Sequence, residues 1–158
     1  MSSVIFVCWG NICRSPMAER VARKLFREAG LDVEVSSAAT SREELGNPID
    51  PRAQRVLKRA GYDPTDHRAH QITAEELEAA DVVIAMEQIH VDRMEVITGR
   101  PNPNVHLLSE FNPAAPAGSG LDDPWYGGER GFETTLAAIE AAMPALIAEL
   151  RAAGLPAR

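Results

Sequence analysis

Aromatic residues are scarce. Phe, Trp and Tyr together make up 5% of the 158 residues, so aliphatic side chains and alanine must fill the core. Cysteine is nearly absent: Cys8 and Cys13 are the whole complement, and both fall in one short stretch. Such a pair is no disulfide framework for a secreted fold. Positive charge is in deficit as well. The formal net charge of −7 argues against a nucleic-acid partner, because phosphate contacts need a basic surface. An anionic ligand would require a locally positive site. No uninterrupted apolar run approaches the roughly 20 residues of a membrane span, and no signal-peptide pattern opens the chain. The expectation is a cytoplasmic protein with no membrane partner. Its length fits a single domain over residues 1–158 with a real core.

What is present is an alternation of strand and helix patterns. Val4 to Val7 is a continuous apolar run, as in a parallel strand buried on both faces. Met17, Val21 and Leu25 then repeat at helical spacing, with Arg20, Arg23, Lys24 and Arg27 expected to face away and Gly30 placed as a stop. Residues 33–38 read as a second strand. Asp50 and Pro51 read as the cap and first residue of another helix, which Gly61 ends. Thr73 to Glu76 fits a capping box. Residues 81–86 and 104–108 read as strands around a short helix near 88–97, and Phe132 to Leu150 as a last helix with Pro144 as a possible kink. This order predicts an α/β fold, a parallel sheet with helices on both faces. Residues 40–49 and 112–130 are long polar connections, which in compact domains are often functional.

The chemistry concentrates in "VIFVCWGNICRSP", Val4 to Pro16. In this architecture ligands bind beyond the carboxyl ends of the strands, and Cys8 sits where the first strand ends. The loop after it leads into a helix expected to begin near Pro16. The first-turn amides of a helix have no internal partner and carry the positive end of its dipole. Gly10 and Asn11 are residue types that tolerate the backbone angles of an anion nest. Arg14 adds a planar fork for phosphate oxygens. The same field favours a thiolate at Cys8. A nucleophile and an oxyanion site would then coincide, which equips the loop for phosphoryl transfer to sulfur. Other phosphate-binding signatures, GxxxxGK[ST] and a strand-linked GxGxxG, are missing.

"CWGNICRSPMAE" resembles the phosphate loop of the low-molecular-weight protein tyrosine phosphatases. The likeness continues through "SAATS" (Ser37 to Ser41), "DPRA" (Asp50 to Ala53), "DHRAHQIT" (Asp66 to Thr73) and "DDPWYGG" (Asp122 to Gly128), and so covers nearly the whole chain. It implies a flavodoxin-like phosphatase fold with a four-stranded parallel sheet. It also implies hydrolysis of phosphotyrosine through a phosphocysteine. Cys8 resembles the nucleophile, Arg14 the phosphate clamp and Ser15 the hydroxyl that stabilises the thiolate. Asn11 resembles the residue that props the loop through a network reaching Ser37 and His67. Trp9, Gly10, Ile12 and Cys13 fill the rest of the phosphate loop. Asp123, before Pro124, resembles the general acid, with Asp122 as its neighbouring competitor. The implied partner is a tyrosine-phosphorylated protein, with inorganic phosphate as product and inhibitor. No cofactor or metal is expected: His67 and His70 are spaced as a pair, yet no cluster completes a metal set.

The departures concern the substrate cleft. Where the family often places an aromatic residue after "SAATS", this chain has Arg42, Glu43, Glu44 and Leu45, and His70 replaces a common arginine. Trp9, Ile12, Trp125 and Tyr126 are expected to rebuild a slot for a phenyl ring, with Glu43 and Glu44 on its rim. Three rivals remain. An arsenate reductase of this fold needs further cysteines, and none follows Cys13. A protein-arginine phosphatase tends to carry threonine at the position of Ile12. A non-catalytic phosphate-binding module should lack the acid or the nucleophile. Cys8 and Cys13 also suggest redox sensitivity, since a reactive thiolate oxidises and Cys13 stands close in sequence to condense with it.

Overall fold

The structure is a computed structural model that describes residues 2–153. Residues 1 and 154–158, the ends of the expected domain, lie outside the described residues. Four parallel strands form the sheet in the order β2-β1-β3-β4. Strand β1 (Ser2–Cys8) is central, pairing with β2 (Val33–Ala39) on one side and β3 (Val82–Ala85) on the other. Strand β4 (Val105–Leu107) closes the far edge against β3.

Side chains of β1 alternate between the two faces, as the two-residue period of a strand requires. Val4, Phe6 and Cys8 belong to a core shared with α1 (Arg14–Glu28), α2 (Pro51–Arg59) and α5 (Glu129–Ala152). Ile5 and Val7 belong to a second core with α3 (Ala74–Ala79) and α4 (Gln88–Thr98). Thus β1 is apolar from Val4 onward because both faces are covered. This parity also places Cys8 on the α1 side of the sheet, beside the helix that its own loop begins.

The helix boundaries follow from local chemistry. Asp50 caps α2 by accepting from the Arg52 amide at 2.8 Å, with Pro51 at the first position. Thr73 and Glu76 form the reciprocal capping box of α3. Gly30 and Gly61 end α1 and α2 with φ of 76° and 90°.

Two expectations change. Helix α1 begins at Arg14, so Pro16 sits inside its first turn, where a missing N–H costs no hydrogen bond. Arg20 does not face solvent. It is buried and donates to the carbonyls of Asp63 and Thr65 at 3.1 and 2.6 Å while pairing with Glu19. The α2–α3 connection folds over that flank of α1, and a guanidinium has donors enough to satisfy it. Helix α5 runs unbroken through Pro144. By length and composition α5 meets the test for a membrane span, alone among the helices of the described residues. Its stripe of Phe132, Leu136, Ile139, Met143, Leu146 and Leu150 is buried in the core of this domain.

Candidate active site

Residues 9–13 turn around the carboxyl end of β1. Their outer side is fastened carbonyl by carbonyl. The Thr40 amide donates to Cys8 O at 2.9 Å, and the Ser41 amide and hydroxyl donate to Trp9 O at 3.1 and 2.9 Å. His67 Nε2 donates to Asn11 O at 2.6 Å, Asp50 N to Ile12 O at 2.9 Å, and Met17 N to Cys13 O at 3.0 Å. A peptide unit is planar, and its N–H points opposite to its C=O. Carbonyls held outward therefore turn the amides of Trp9, Gly10, Ile12, Cys13 and Arg14 inward. The first turn of α1 completes the ring and has no side-chain cap, in contrast to α2 and α3. Amides of this kind form a site for an anion.

Asn11 is the keystone. It is fully buried with φ of 62°, a left-handed conformation that asparagine tolerates. Its amide donates to Cys8 Sγ at 3.3 Å. The His70 amide donates to Asn11 Oδ1 at 3.2 Å, which fixes the side-chain orientation, and Nδ2 donates to Ser15 Oγ at 2.8 Å and Ser37 Oγ at 3.0 Å. Ser37 Oγ in turn donates to Oε1 of buried Glu19 at 2.8 Å. Ser15 Oγ, which accepts from Asn11, lies 3.0 Å from Cys8 Sγ and 3.4 Å from Ala38 O. The sulfur thus accepts from the Asn11 amide and has the Ser15 hydroxyl within hydrogen-bond distance. Gly10 serves differently from expectation. It is not among the residues with positive φ. A Cβ there would lie 3.3 Å from Glu44 Cγ, so glycine permits Glu44 to lie over the loop.

Arg14 is buried at the mouth of the ring. Its Nη1 donates to Glu87 Oε1 and, at 2.7 Å, to Leu121 O; Nη2 lies 3.5 Å from Asp123 Oδ2. Asp123 caps the short turn Pro124–Tyr126 by accepting from Trp125 N at 3.0 Å. A cleft of about 490 Å³ is lined by Cys8 to Arg14, Glu43, Glu44, Glu87, Ile89, His90, Asp123, Trp125 and Tyr126. Asp122 is not among its lining residues. Ser15, Ser37 and His67 stand behind the loop. Burial holds His67 below the usual imidazole range, although its bond to Asn11 O and the nearby Glu19 act the other way.

Trp9, Ile12, Trp125 and Tyr126 all line this cleft. Trp9 faces the Arg93 guanidinium at 4.5 Å, Trp125 faces Arg52 at 5.2 Å, and Tyr126 is exposed at the lip. Cys13 is buried among apolar neighbours. Burial, then the charges of Asp50, Cys8 and Asp123, push its thiol far above the usual range, and Arg52 offsets only part of this. Both cysteines are free thiols. The Nε2 atoms of His67 and His70 are committed to separate acceptors, Asn11 O and Glu76 Oε2.

A family model described as "Low molecular weight phosphotyrosine protein phosphatase" matches residues 3–154. The chain belongs to this family. The low-molecular-weight protein-tyrosine-phosphatase of Streptomyces coelicolor is 43% identical over 154 residues, spanning 94% of this chain and 93% of the relative. Among solved structures, a protein tyrosine phosphatase from Entamoeba histolytica superposes with a TM-score of 0.90 at 28% identity, covering 98% of this chain and 100% of that one. The Bacillus subtilis arginine phosphatase YwlE superposes with a TM-score of 0.86 at 29% identity, covering 94% of this chain and 95% of that one.

In this phosphatase several cleft residues escaped sequence reasoning. Glu87 and His90 enter from the carboxyl end of β3, where the strand-end rule pointed but no motif did. His90 Nδ1 accepts from Glu87 N at 3.1 Å. Burial, with Arg14 and Arg93 adding to it, pushes His90 down to about 3, so the ring is a neutral acceptor. Ile89 is half-exposed on the cleft wall. Arg52, outside the cleft lining, lay inside the quoted "DPRA", where it read only as helix.

Proposed function

We propose that this protein hydrolyses phosphotyrosine through a phosphocysteine on Cys8. The observation that supports it most is the ring of inward amides around a sulfur that accepts from Asn11 N and lies 3.0 Å from Ser15 Oγ. The ring and the Arg14 guanidinium bind the phosphate dianion. Arg14 Nη1 is already committed to Glu87 and Leu121 O, so the guanidinium plane is set before the ligand arrives. The Cys8 thiolate attacks phosphorus, and the phenolate leaves with the proton of Asp123. Asp123 then takes a proton from water, the water oxygen bonds to phosphorus, and Cys8 Sγ departs as thiolate toward Ser15 Oγ. Inorganic phosphate is released and, occupying the same ring, inhibits. Positive charge comes from Arg14 and the amides, so hydrolysis needs no metal.

Depth sets the substrate. Trp9, Ile12 and Trp125 wall the route to Cys8, and a phenyl ester reaches the sulfur where the shorter phosphoserine does not. Glu43 and Glu44 on the rim favour basic residues flanking the target. The likeness to YwlE supports a second reading, phosphoarginine; apolar Ile12 favours the aryl ester. Matched peptides carrying phosphotyrosine, phosphoserine or phosphoarginine, assayed with EDTA present, test this. The highest kcat/KM is expected for phosphotyrosine in basic context. Equal rates for phosphoserine would refute the slot, and a preference for phosphoarginine would install the second reading.

A further inference from the structure

We propose that Arg52 is a positioning residue that ties the segment carrying Asp123 to the phosphate loop, an inference that rests on the phosphatase reading above. Arg52 stands in the first turn of α2 and does not line the cleft. Asp50 fixes it twice, accepting from Nε at Oδ1 and from Nη2 at Oδ2, both at 3.0 Å. From that base Nη1 reaches across to the acid segment and donates to Trp125 O at 3.3 Å and Gly127 O at 3.0 Å. The guanidinium carbon also lies 5.2 Å from the centre of the Trp125 ring and 4.7 Å from that of Phe132. Asp50, meanwhile, holds Ile12 O of the phosphate loop through its own backbone N–H at 2.9 Å. One helix cap therefore grips the phosphate loop by its main chain and the acid segment by its neighbour's side chain.

The other end of the segment is pinned separately. Leu121 N donates to Met86 O at 2.9 Å, and Arg14 donates to Leu121 O at 2.7 Å. Asp123 lies between the two anchors. On its far side, the bonds of Gly127 N to Pro124 O and of Trp125 N to Asp123 Oδ1 are internal to the segment, and Arg55 reaches only Glu129, where α5 begins. Arg52 is thus the side chain that carries the position of α2 into the acid turn. A lysine could keep the charge beside Asp50, but it lacks the planar fork that serves Asp50 and two carbonyls together.

The test compares wild type, Arg52→Lys and Arg52→Ala over aryl phosphates from phenyl to p-nitrophenyl phosphate, with the inhibition constant of inorganic phosphate measured alongside. General acid catalysis is worth about 10²–10⁴ in rate. A displaced acid should forfeit part of this, about tenfold in kcat/KM for Arg52→Ala on phenyl phosphate and less for Arg52→Lys. The loss should shrink as the leaving group becomes more stable as an anion. The phosphate inhibition constant should move less than about threefold, because the bond from Asp50 to Ile12 is untouched, and Arg52→Ala should add little to the loss already caused by Asp123→Asn. A loss that is equal for every leaving group, or fully additive with Asp123→Asn, would overturn the proposal. Arg52→Lys keeps a cation beside Asp50 and decides the matter if Arg52→Ala does not fold. A wild type inert toward every aryl phosphate would sink the phosphatase reading itself; an active wild type with flat variant profiles would remove only the role of Arg52.

Discussion

The phosphate loop and the acid segment meet at Arg14, yet they are held in opposite ways. Around residues 8–15 the outward carbonyls are bonded to β2's continuation, α1, α2's cap and His67, and Asn11 is fully buried with its polar groups engaged. Around residues 121–128 the chain is a short turn at the surface, with Trp125 and Tyr126 exposed and anchors at only a few points. The difference matches the two jobs proposed. An anion cradle gains from amides that need no rearrangement when charge arrives. A group that gives a proton and later takes one needs to be near, but need not be rigid.

Substitutions can break this comparison. The largest effect should come from Cys8→Ser, which leaves the cradle intact and removes the nucleophile. Turnover of p-nitrophenyl phosphate is expected to vanish while phosphate binding, followed by calorimetry, persists; residual turnover would move the nucleophile elsewhere. Next, Asp123→Asn should lower kcat/KM on phenyl phosphate by about 10²–10⁴, with phosphate inhibition little changed. If Asp122→Asn gives that loss instead, the acid is misassigned. A breach of the rigid half should show the reverse pattern. Asn11→Ala removes three side-chain hydrogen bonds, each worth about 1 kcal/mol, and should weaken phosphate inhibition by roughly a hundredfold. An unchanged inhibition constant would show that the ring stands without its keystone.

The pH dependence of stability sharpens the contrast at a smaller scale. His90 titrates near 6.5 when unfolded and is held down to about 3 in the fold. Its contribution is therefore complete above pH 6.5 and is lost as pH falls toward 3. Urea midpoints should decline over that window, and His90→Asn, which keeps an acceptor for Glu87 N without titrating, should flatten the decline; an identical slope would refute the assignment. The smallest effect concerns oxidation. Peroxide should inactivate the enzyme, bound phosphate should slow the loss, and reductant should restore it. Cys13→Ala should recover a smaller fraction of its own starting activity. Equal recovery, with no Cys8–Cys13 link by mass spectrometry, would leave Cys13 as a packing residue; its buried thiol, slow to ionise, makes a slow link the expected one.

The strand-helix alternation, the caps at Asp50 and Thr73 and the stops at Gly30 and Gly61 were legible because each depends on residues a few positions apart. The loop from Cys8 to Arg14 was legible for the same reason: a nucleophile, an anion nest and a helix start lie in one contiguous stretch. Arg20 was misread because its partners, the carbonyls of Asp63 and Thr65, lie more than 40 positions away, and helical periodicity knows nothing of what folds over a flank. Gly10 was misread because the need for a small residue comes from Glu44 and not from its own backbone.

By itself, then, the sequence determined the order of elements, the apolar centre of the sheet and the place where a thiol meets the start of a helix. All of these are written in local spacing. Tertiary structure decided which groups surround that thiol. The parallel order β2-β1-β3-β4 brings the ends of β1 and β3 together, and so delivers Glu87 and His90 to Arg14. The packing of α2 against α5 sets Arg52 beneath Trp125 and Gly127. Such partners are chosen by strand pairing and core packing between segments far apart in the chain, where no local pattern records the distance between them.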